Sequence, residues 1–399
     1  MKPKTGAKLF FLVFSWLVLT TLVGSQTWAQ SFNVVYSFTG ASDGANPLAG
    51  LVSTPEGFFG TASAGGNAGT GVVYTIDSNG NQSVLYSFAG GSDGASPEAG
   101  LLPAGRGFYG ATTAGGSSGG GTVFQVSLTG KESVLYNFTG GADGGDPQGT
   151  LIKDATGNLY GTTFSGGASG NGTVFELLHP TVKGGPWTEQ VLYSFGTGTD
   201  GANPVAGVAF DRAGNLYGTT SAGGMYGYGT VFQLVPSPSG WTENILHHFQ
   251  LESDGGVPYA GIVVDKHGRL WGAATDGGQG GTNGGGTVFE LIPADGNWTF
   301  NVLYALSGWG ISGSFRNILL SGGKIYATTH CDGNYDAGTV YELTRSGSTW
   351  NYTSLYVFTG GSDGLYSFSN LVFDSQGNLW GTTNQGGANG AGVVFKVTP

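Results

Sequence analysis

The sequence predicts an all-β fold, a seven-bladed β-propeller. Three observations carry that reading: one unit recurs along the whole chain, each copy holds four short strand-like runs, and no run of ten or more residues shows helical apolar periodicity.

The unit is clearest in its fourth copy, LYSFGTGTDGANPVAGVAFDRAGNLYGTT (Leu192–Thr220), completed by SAGGMYGYGTVFQLV. Aligned on the aromatic of the LYSF element, the copies carry Tyr36, Tyr86, Tyr136, Tyr193, His247, Tyr304 and Tyr356, at steps of 50, 50, 57, 54, 57 and 52 residues. Steps of this size belong to propeller blades, whereas most solenoids repeat every 20 to 35 residues or so. A linear β-solenoid is the fold alternative.

Within the fourth copy the strand-like runs are Pro204–Phe210, Asn215–Thr220, Gly229–Val235 and Trp241–Phe249, and four strands repeated radially make a blade. The turn DRAGN (Asp211–Asn215) places Gly where a tight hairpin needs positive φ, and SNGN (Ser78–Asn81) or PSPSGW joins the third strand to the fourth. These two hairpins share one rim. Because chain direction alternates, TGTDGANP (Thr197–Pro204) and SAGGMYGYG (Ser221–Gly229) must share the other, so the DG and GG loops cluster on one face. Large residue pairs such as Leu216 with Tyr217 and Val231 with Phe232 suit strands buried between neighbouring blades, each aromatic contributing roughly 1.5–3 kcal/mol. The small residues of GTT and GTV let strands approach near the axis.

The ends predict how the ring closes. SFNVVYSF is a fourth strand with no blade before it, and GVVFKVTP is a third strand with no fourth after it. Pairing Asn33–Phe38 with Gly392–Thr398 completes the last blade and removes both sheet edges.

Gly accounts for 79 of 399 residues, yet 39% apolar and 13% aromatic residues supply a core, so the chain reads as globular with glycine in its loops. Residues 1–29 read as a signal peptide: Lys2, Lys4 and Lys8 precede the apolar run Leu9–Val23, and Thr27-Trp28-Ala29 offers a cleavage site. An uncleaved anchor is the alternative, for which the run is short. Residues 30–399 then form a single propeller domain, secreted or at the cell surface, with no membrane span after cleavage. That domain keeps 11 basic against 25 acidic residues, a formal charge of −14. Such a chain offers no positive footprint for nucleic acid or an anionic membrane. Its one cysteine, Cys331, excludes a disulfide framework.

The recurrent LYSFTGGSDGANPxAGL…D…GNLYGTTSAGG…GNGTVFEL resembles the GloVer tandem repeat of exported bacterial proteins, also called choice-of-anchor repeats, over nearly all of Val34–Pro399. The resemblance implies export but no reaction. The sequence stops at Pro399, directly after the last strand, which predicts release or loose association with the surface rather than anchoring. A more distant similarity to kelch propellers rests on the GG pair, the third-strand aromatic, and Trp187, Trp241, Trp298 or Trp350 opening the fourth strand.

Four groups are candidates for function. Asp43, Asp93, Asp143, Asp200, Asp254 and Asp363 form a ring of rim carboxylates, read either as a Ca²⁺-binding crown or as Asx-turns that close their own loops. Gly-rich loops such as GGNAGTG (Gly65–Gly71) mimic phosphate loops, but no helix follows them, which argues against a nucleotide cofactor. The sixth copy departs from the pattern with GWGISGSFRN and THCDGNYDAG, gathering Trp309, Arg316, His330, Cys331, Asp332, Tyr335 and Asp336 on the loop face. This set reads as a ligand, metal or substrate site, or as drift in one copy. His-Cys-Asp in succession is poor metal spacing, since adjacent strand residues point to opposite sides. Tyr226, Tyr228, Tyr259 and Tyr366 are loop aromatics, available to stack on sugar rings or to pack against neighbouring loops. A sialidase-type box is absent, since SDGANP lacks its intervening residue and its Trp.

The functional expectation is a monomeric binding or structural module for extracellular glycan or a surface protein, without a cofactor, Ca²⁺ at the rim being the metal alternative. A polysaccharide-active hydrolase or lyase using the sixth-copy loops is the alternative.

Overall fold

Seven four-stranded antiparallel sheets follow one another along the chain in a computed structural model that describes residues 30–278, 284–308 and 313–399. Residues 1–29, read above as a signal peptide, and Trp309 lie outside the described residues. No helix occurs among the described residues. None, therefore, is long and apolar enough to cross a membrane.

Blade 1 comprises Val52–Thr54, Gly57–Ala62, Val72–Ile76 and Gln82–Ser87, and blades 2 to 6 repeat that order. Blade 7 takes Val372–Phe373, Leu379–Thr383 and Val393–Thr398 from the C-terminus and its fourth strand, Ser31–Ser37, from the N-terminus. Ser31 faces Thr398 and Ser37 faces Val393, so the ring closes three strands plus one.

The first strands are shorter than expected: in blade 4 only Ala209–Phe210 pairs, where Pro204–Phe210 was expected. The reason is crowding at the axis. There the inner segments of neighbouring blades touch so closely that a Cβ on Gly207 would strike the Thr150 carbonyl, leaving no room for a full ladder. Buried threonines tie the blades together instead. Thr61, Thr162, Thr219, Thr328 and Thr382 donate across the blade interfaces to the carbonyls of Ala99, Ala206, Ala260, Ser369 and Ala49, at 2.8–3.0 Å. Blades 2 and 5 carry Ala111 and Ala273 at this position.

Between the blades lies a chain of edge-to-face aromatics. In six of the seven copies the Phe ending the LYSF element meets the third-strand aromatic of the next blade, as in Phe88–Phe124 at 5.1 Å and Phe195–Phe232 at 5.2 Å. The Gly of NLYGTT explains itself here: Gly218 pairs with Phe232, and a Cβ on it would run into that ring. Every third-to-fourth strand pair carries a bulge, at Val73/Tyr74 in blade 1, which turns the following Tyr86 toward the loop rim.

Loops of the opposite rim are pinned within each blade. A single bridge joins the residue after DG to the SAGG loop, as in Ala45 with Ala64 and Ala95 with Ala114. In blade 4 it extends to the two-stranded pair Gly201–Ala202 with Ala222–Gly223, which the repeat pattern had not foretold. The DG glycine is required by this closeness: Gly44 has φ 105°, and a Cβ there would lie 2.7 Å from Val72 Cγ2.

Candidate functional site at the axial mouth

The rim carboxylates come first, because the bulge explains them. Each Asp accepts from the tyrosine seven residues earlier and from backbone four residues earlier: Tyr36 Oη reaches Asp43 at 2.8 Å, as does the Thr39 amide. Asp93, Asp143, Asp200 and Asp363 repeat the tyrosine bond, and His247 takes the tyrosine's place beside Asp254 at 3.0 Å. The acceptor bonds thus run upstream, across the whole loop, rather than forming a local Asx-turn. Burial opposes ionisation of Asp43, but the bonds from Thr39 and Tyr36 outweigh it and hold the carboxyl below the usual range. Burial together with that carboxylate pushes Tyr36 up to about 12. No cluster of three or more metal-ligating side chains occurs among the described residues.

Nearer the axis the repeat loses its symmetry. The residue between Pro and Ala-Gly of NPVAG is Leu48, Glu98, Gln148, Val205, Tyr259, Phe315 or Phe368 in successive blades, the position that varies most in character. On the side of blades 5 to 7 it builds an aromatic wall. Tyr259 and Phe368 lie 5.0 and 4.8 Å from Phe315, and His330 lies 4.3 Å from Phe368 and 4.4 Å from Tyr366. On the side of blades 2 and 3 it is polar: half-buried Glu98 holds it in blade 2, and in blade 3 Gln148 donates at 3.0 Å to half-buried Asp146, the residue just before the proline.

Arg316 spans the two sides. It occupies the column held by Ala49, Ala99 or Ala206 elsewhere, yet its Nη2 reaches to 3.5 Å from the Glu98 carbonyl, joining blade 6 to blade 2. Those blades are not neighbours, so the guanidinium crosses the central channel. Burial lowers its pKa, and the Glu98 charge counters that. Burial also raises Glu98 and Asp146, with Arg316 opposing the shift at Glu98 and Gln148 opposing it at Asp146.

Three polar atoms around this mouth are sealed from solvent without a hydrogen-bond partner among the described residues: Arg316 Nε, His330 Nδ1 and Asn384 Oδ1. Elsewhere the column of His330 and Asn384 is filled mostly by hydroxyls that are satisfied. Ser63, Thr113 and Ser221 donate to Asn46, Ser96 and Asn203 carbonyls at 2.7–3.1 Å. Burial brings His330 down to about 4, so its ring is neutral at pH 7. A buried unpaired polar atom costs about 1–3 kcal/mol, so three together mark a place built for something other than stability. The column of Tyr366 is left-handed in six blades, at φ 51–59°, a conformation that Asn46, Asn203 and Asp146 adopt comfortably and that strains Tyr366 and Val257.

Of the candidates named from sequence, Arg316, His330, Tyr259 and Tyr366 meet at this mouth. Asp332 lies beside His330 in sequence but faces inward, its Oδ1 accepting from the Gly333 amide at 2.7 Å. Burial pushes Cys331 up to about 11, with Asp336 adding, which leaves an inert thiol. Tyr335 is 62% and Tyr226 49% exposed, and no contact joins Tyr335 or Asp336 to the aromatic wall among the described residues. Tyr228 packs against the core of blades 4 and 5. Glu98, Asp146 and Phe368 were missed because they sit in copies that otherwise keep the repeat, and Phe315 was passed over inside the divergent GWGISGSFRN. Comparing the copies column by column at the Pro-x-Ala-Gly position would have found Glu98, Phe315 and Phe368, and the column just before the proline would have found Asp146.

These features define a repeat-built β-propeller with one asymmetric axial site. Family comparison matches the Gloeobacter/Verrucomicrobia repeat over residues 21–211, 129–311 and 208–399, and the chain belongs to that family. No protein with curated annotation matches. Among solved structures, the extracellular domain of a putative one-component system from B. thetaiotaomicron is similar at TM-score 0.60 and 11% identity, over 92% of this chain. This chain spans 39% of that one, and the likeness is one of fold. The apo form of the soluble aldose sugar dehydrogenase from Escherichia coli aligns at TM-score 0.45 and 12% identity, over 93% of this chain and 99% of that one.

Proposed function

We propose that the protein is an exported, monomeric module that binds extracellular carbohydrate, seating one sugar unit in the axial mouth. The observation that carries this reading is the pairing of an aromatic wall with unpartnered polar atoms across one opening. An apolar sugar face stacks on Phe315, Phe368 or Tyr259, while hydroxyls meet Arg316, His330, Glu98 and Gln148. The N-terminal pattern of Lys2–Ala29 and the resemblance to exported repeat proteins support a place outside the cell.

The test is a thermal-shift panel of oligosaccharides with and without Ca²⁺, run on the chain from residue 30 and on His330→Ser and Tyr366→Asn. Both substitutions install the residue that other blades hold in the same column, so folding is retained. A ligand at a hundred times its dissociation constant stabilises by about 2.7 kcal/mol. Loss of that shift in both variants supports the mouth, and a shift that survives them moves binding to the repeated loops. No shift with any sugar removes the carbohydrate reading.

A polysaccharide hydrolase or lyase at the same mouth is the second reading, favoured by one observation: two carboxyls beside an arginine are both raised by burial, as a general acid requires. Release of reducing ends that disappears in Glu98→Gln would support it.

A further inference from the structure

Among the described residues all Lys and Arg but one lie on one side of the ring. Among the described residues Arg316 is the single Lys or Arg on the loop rim, and the others sit in hairpin turns or at the strand ends leading to them. Four of them converge between blades 5 and 6. Lys266 and Arg269 come from the turn of blade 5, and Lys324 and Arg345 from strand ends of blade 6. With Trp271 and Trp350 they line a groove of about 620 Å³. The groove is open because the blade 6 turn is Ser321-Gly322-Gly323-Lys324: its two glycines have only open space around them, where blade 4 carries Arg212 and Ala213.

The charges facing this groove are not balanced within it. Asp265 is its one lining carboxylate, and it is already engaged by Arg269 Nε at 2.7 Å and Trp271 Nε1 at 3.3 Å. Lys324 pairs with Glu342 at 2.9 Å behind the wall. Lys266 and Arg345 are exposed, and neither has a carboxylate within 4.0 Å. The turn carrying Lys266 and His267 also walls a second cavity, of about 520 Å³, toward blade 4, where Arg212 lies. A track of cations thus crosses three blades on a chain whose net charge is −11.

We propose that this groove binds a segment of an anionic polysaccharide, its carboxylate or sulfate groups spaced along Lys266, Arg345 and Arg212. Trp350 in the groove lining favours a glycan over an acidic peptide. Trp350, half-buried in the wall, offers an indole face to a sugar ring, and the Trp271 face is taken by Arg269 at 4.8 Å. The cavity size suits an oligosaccharide stretch. This site is separate from the axial mouth and stands whether or not the mouth binds sugar.

The test titrates the chain from residue 30 with a heparin-derived oligosaccharide and an oligogalacturonate by calorimetry, at low and at physiological salt. Binding is expected to weaken with salt and to fall by about tenfold or more in the exposed double variant Lys266→Gln/Arg345→Gln. Trp350→Ala should weaken it too, while His330→Ser leaves it unchanged. Three results overturn the proposal: no binding of either probe, equal binding by the double variant, or polyglutamate bound as tightly as the glycans with no loss in Trp350→Ala. The last would assign the groove to acidic protein.

Discussion

Replacing Phe38 with Ala tests the closure of the ring at a single side chain. Phe38 directly follows the N-terminal strand, is fully buried, and contacts Tyr74 of blade 1 at 5.1 Å and Tyr36 at 5.2 Å, so it serves both blade 7 and the blade 7–blade 1 interface. Truncating a buried Phe to Ala costs about 3–5 kcal/mol, as lost transfer energy plus a cavity. With an unfolding entropy near 2.1 cal/mol/K per residue, a cooperative ring of this length loses roughly 1.3 °C per kcal/mol, which makes about 4–6 °C. Removing Ser31–Phe38 altogether should cost far more. It strips the partner from Val393–Thr398, uncovers fully buried Phe395 and Val397, and takes away Phe32, which stacks on Tyr356 at 3.6 Å. Differential scanning calorimetry of wild type, Phe38→Ala and the truncation measures the series. A truncated protein that melts with the wild type and stays monomeric would refute closure by this strand, whatever Phe38→Ala does.

Three further outcomes are expected. Burial, with Asp93 and Asp143 adding, lifts Glu132 and Glu189 to about 7, and burial with Asp200 lifts Glu243 to about 8. A carboxyl with a raised folded pKa contributes stability that is complete below its unfolded value and is lost as pH rises through the folded one. The melting temperature should therefore fall between about pH 5 and pH 8, and the Glu132→Gln/Glu189→Gln/Glu243→Gln variant should flatten that slope; an unchanged slope would assign the pH dependence elsewhere. Asp43→Ala removes the acceptor for Tyr36 and Thr39 and should lower stability by about 1–3 kcal/mol in chemical denaturation, without any dependence on Ca²⁺. Thr219→Val, isosteric at a buried site, leaves the Ala260 carbonyl unpaired across a blade interface and should cost about 1–3 kcal/mol in the same assay, whereas a neutral result would show that these bonds do not hold the blades.

The repeat made most of the fold legible. Period, turn chemistry and alternation of chain direction are local properties, so blade count, strand order and the sorting of loops to opposite rims follow from reading along the chain. Two recurrent spacings were visible but unread: the tyrosine and aspartate seven residues apart, and the two threonines ten apart that bond as Thr220 and Thr230 at 2.8 Å. Both need a bulge or a strand pairing to bring the groups together, and neither distance can be seen without it. The sixth copy announced itself by breaking the pattern, which is how Arg316 and His330 were found.

Glu98 and Asp146 gave no such signal, because they belong to copies that look ordinary. The importance of Glu98 comes from a guanidinium that reaches its carbonyl from 218 residues away, across an axis that exists only when the ring is closed. The same holds for the cationic groove, whose Lys266 and Arg345 come from a turn and a strand end of adjacent blades with no shared motif. Sequence by itself determined the unit, its number and its faces, since these rest on local propensity repeated. The closed ring decided which irregular residues face one another, since side chains far apart in the chain meet only through the packing of whole blades.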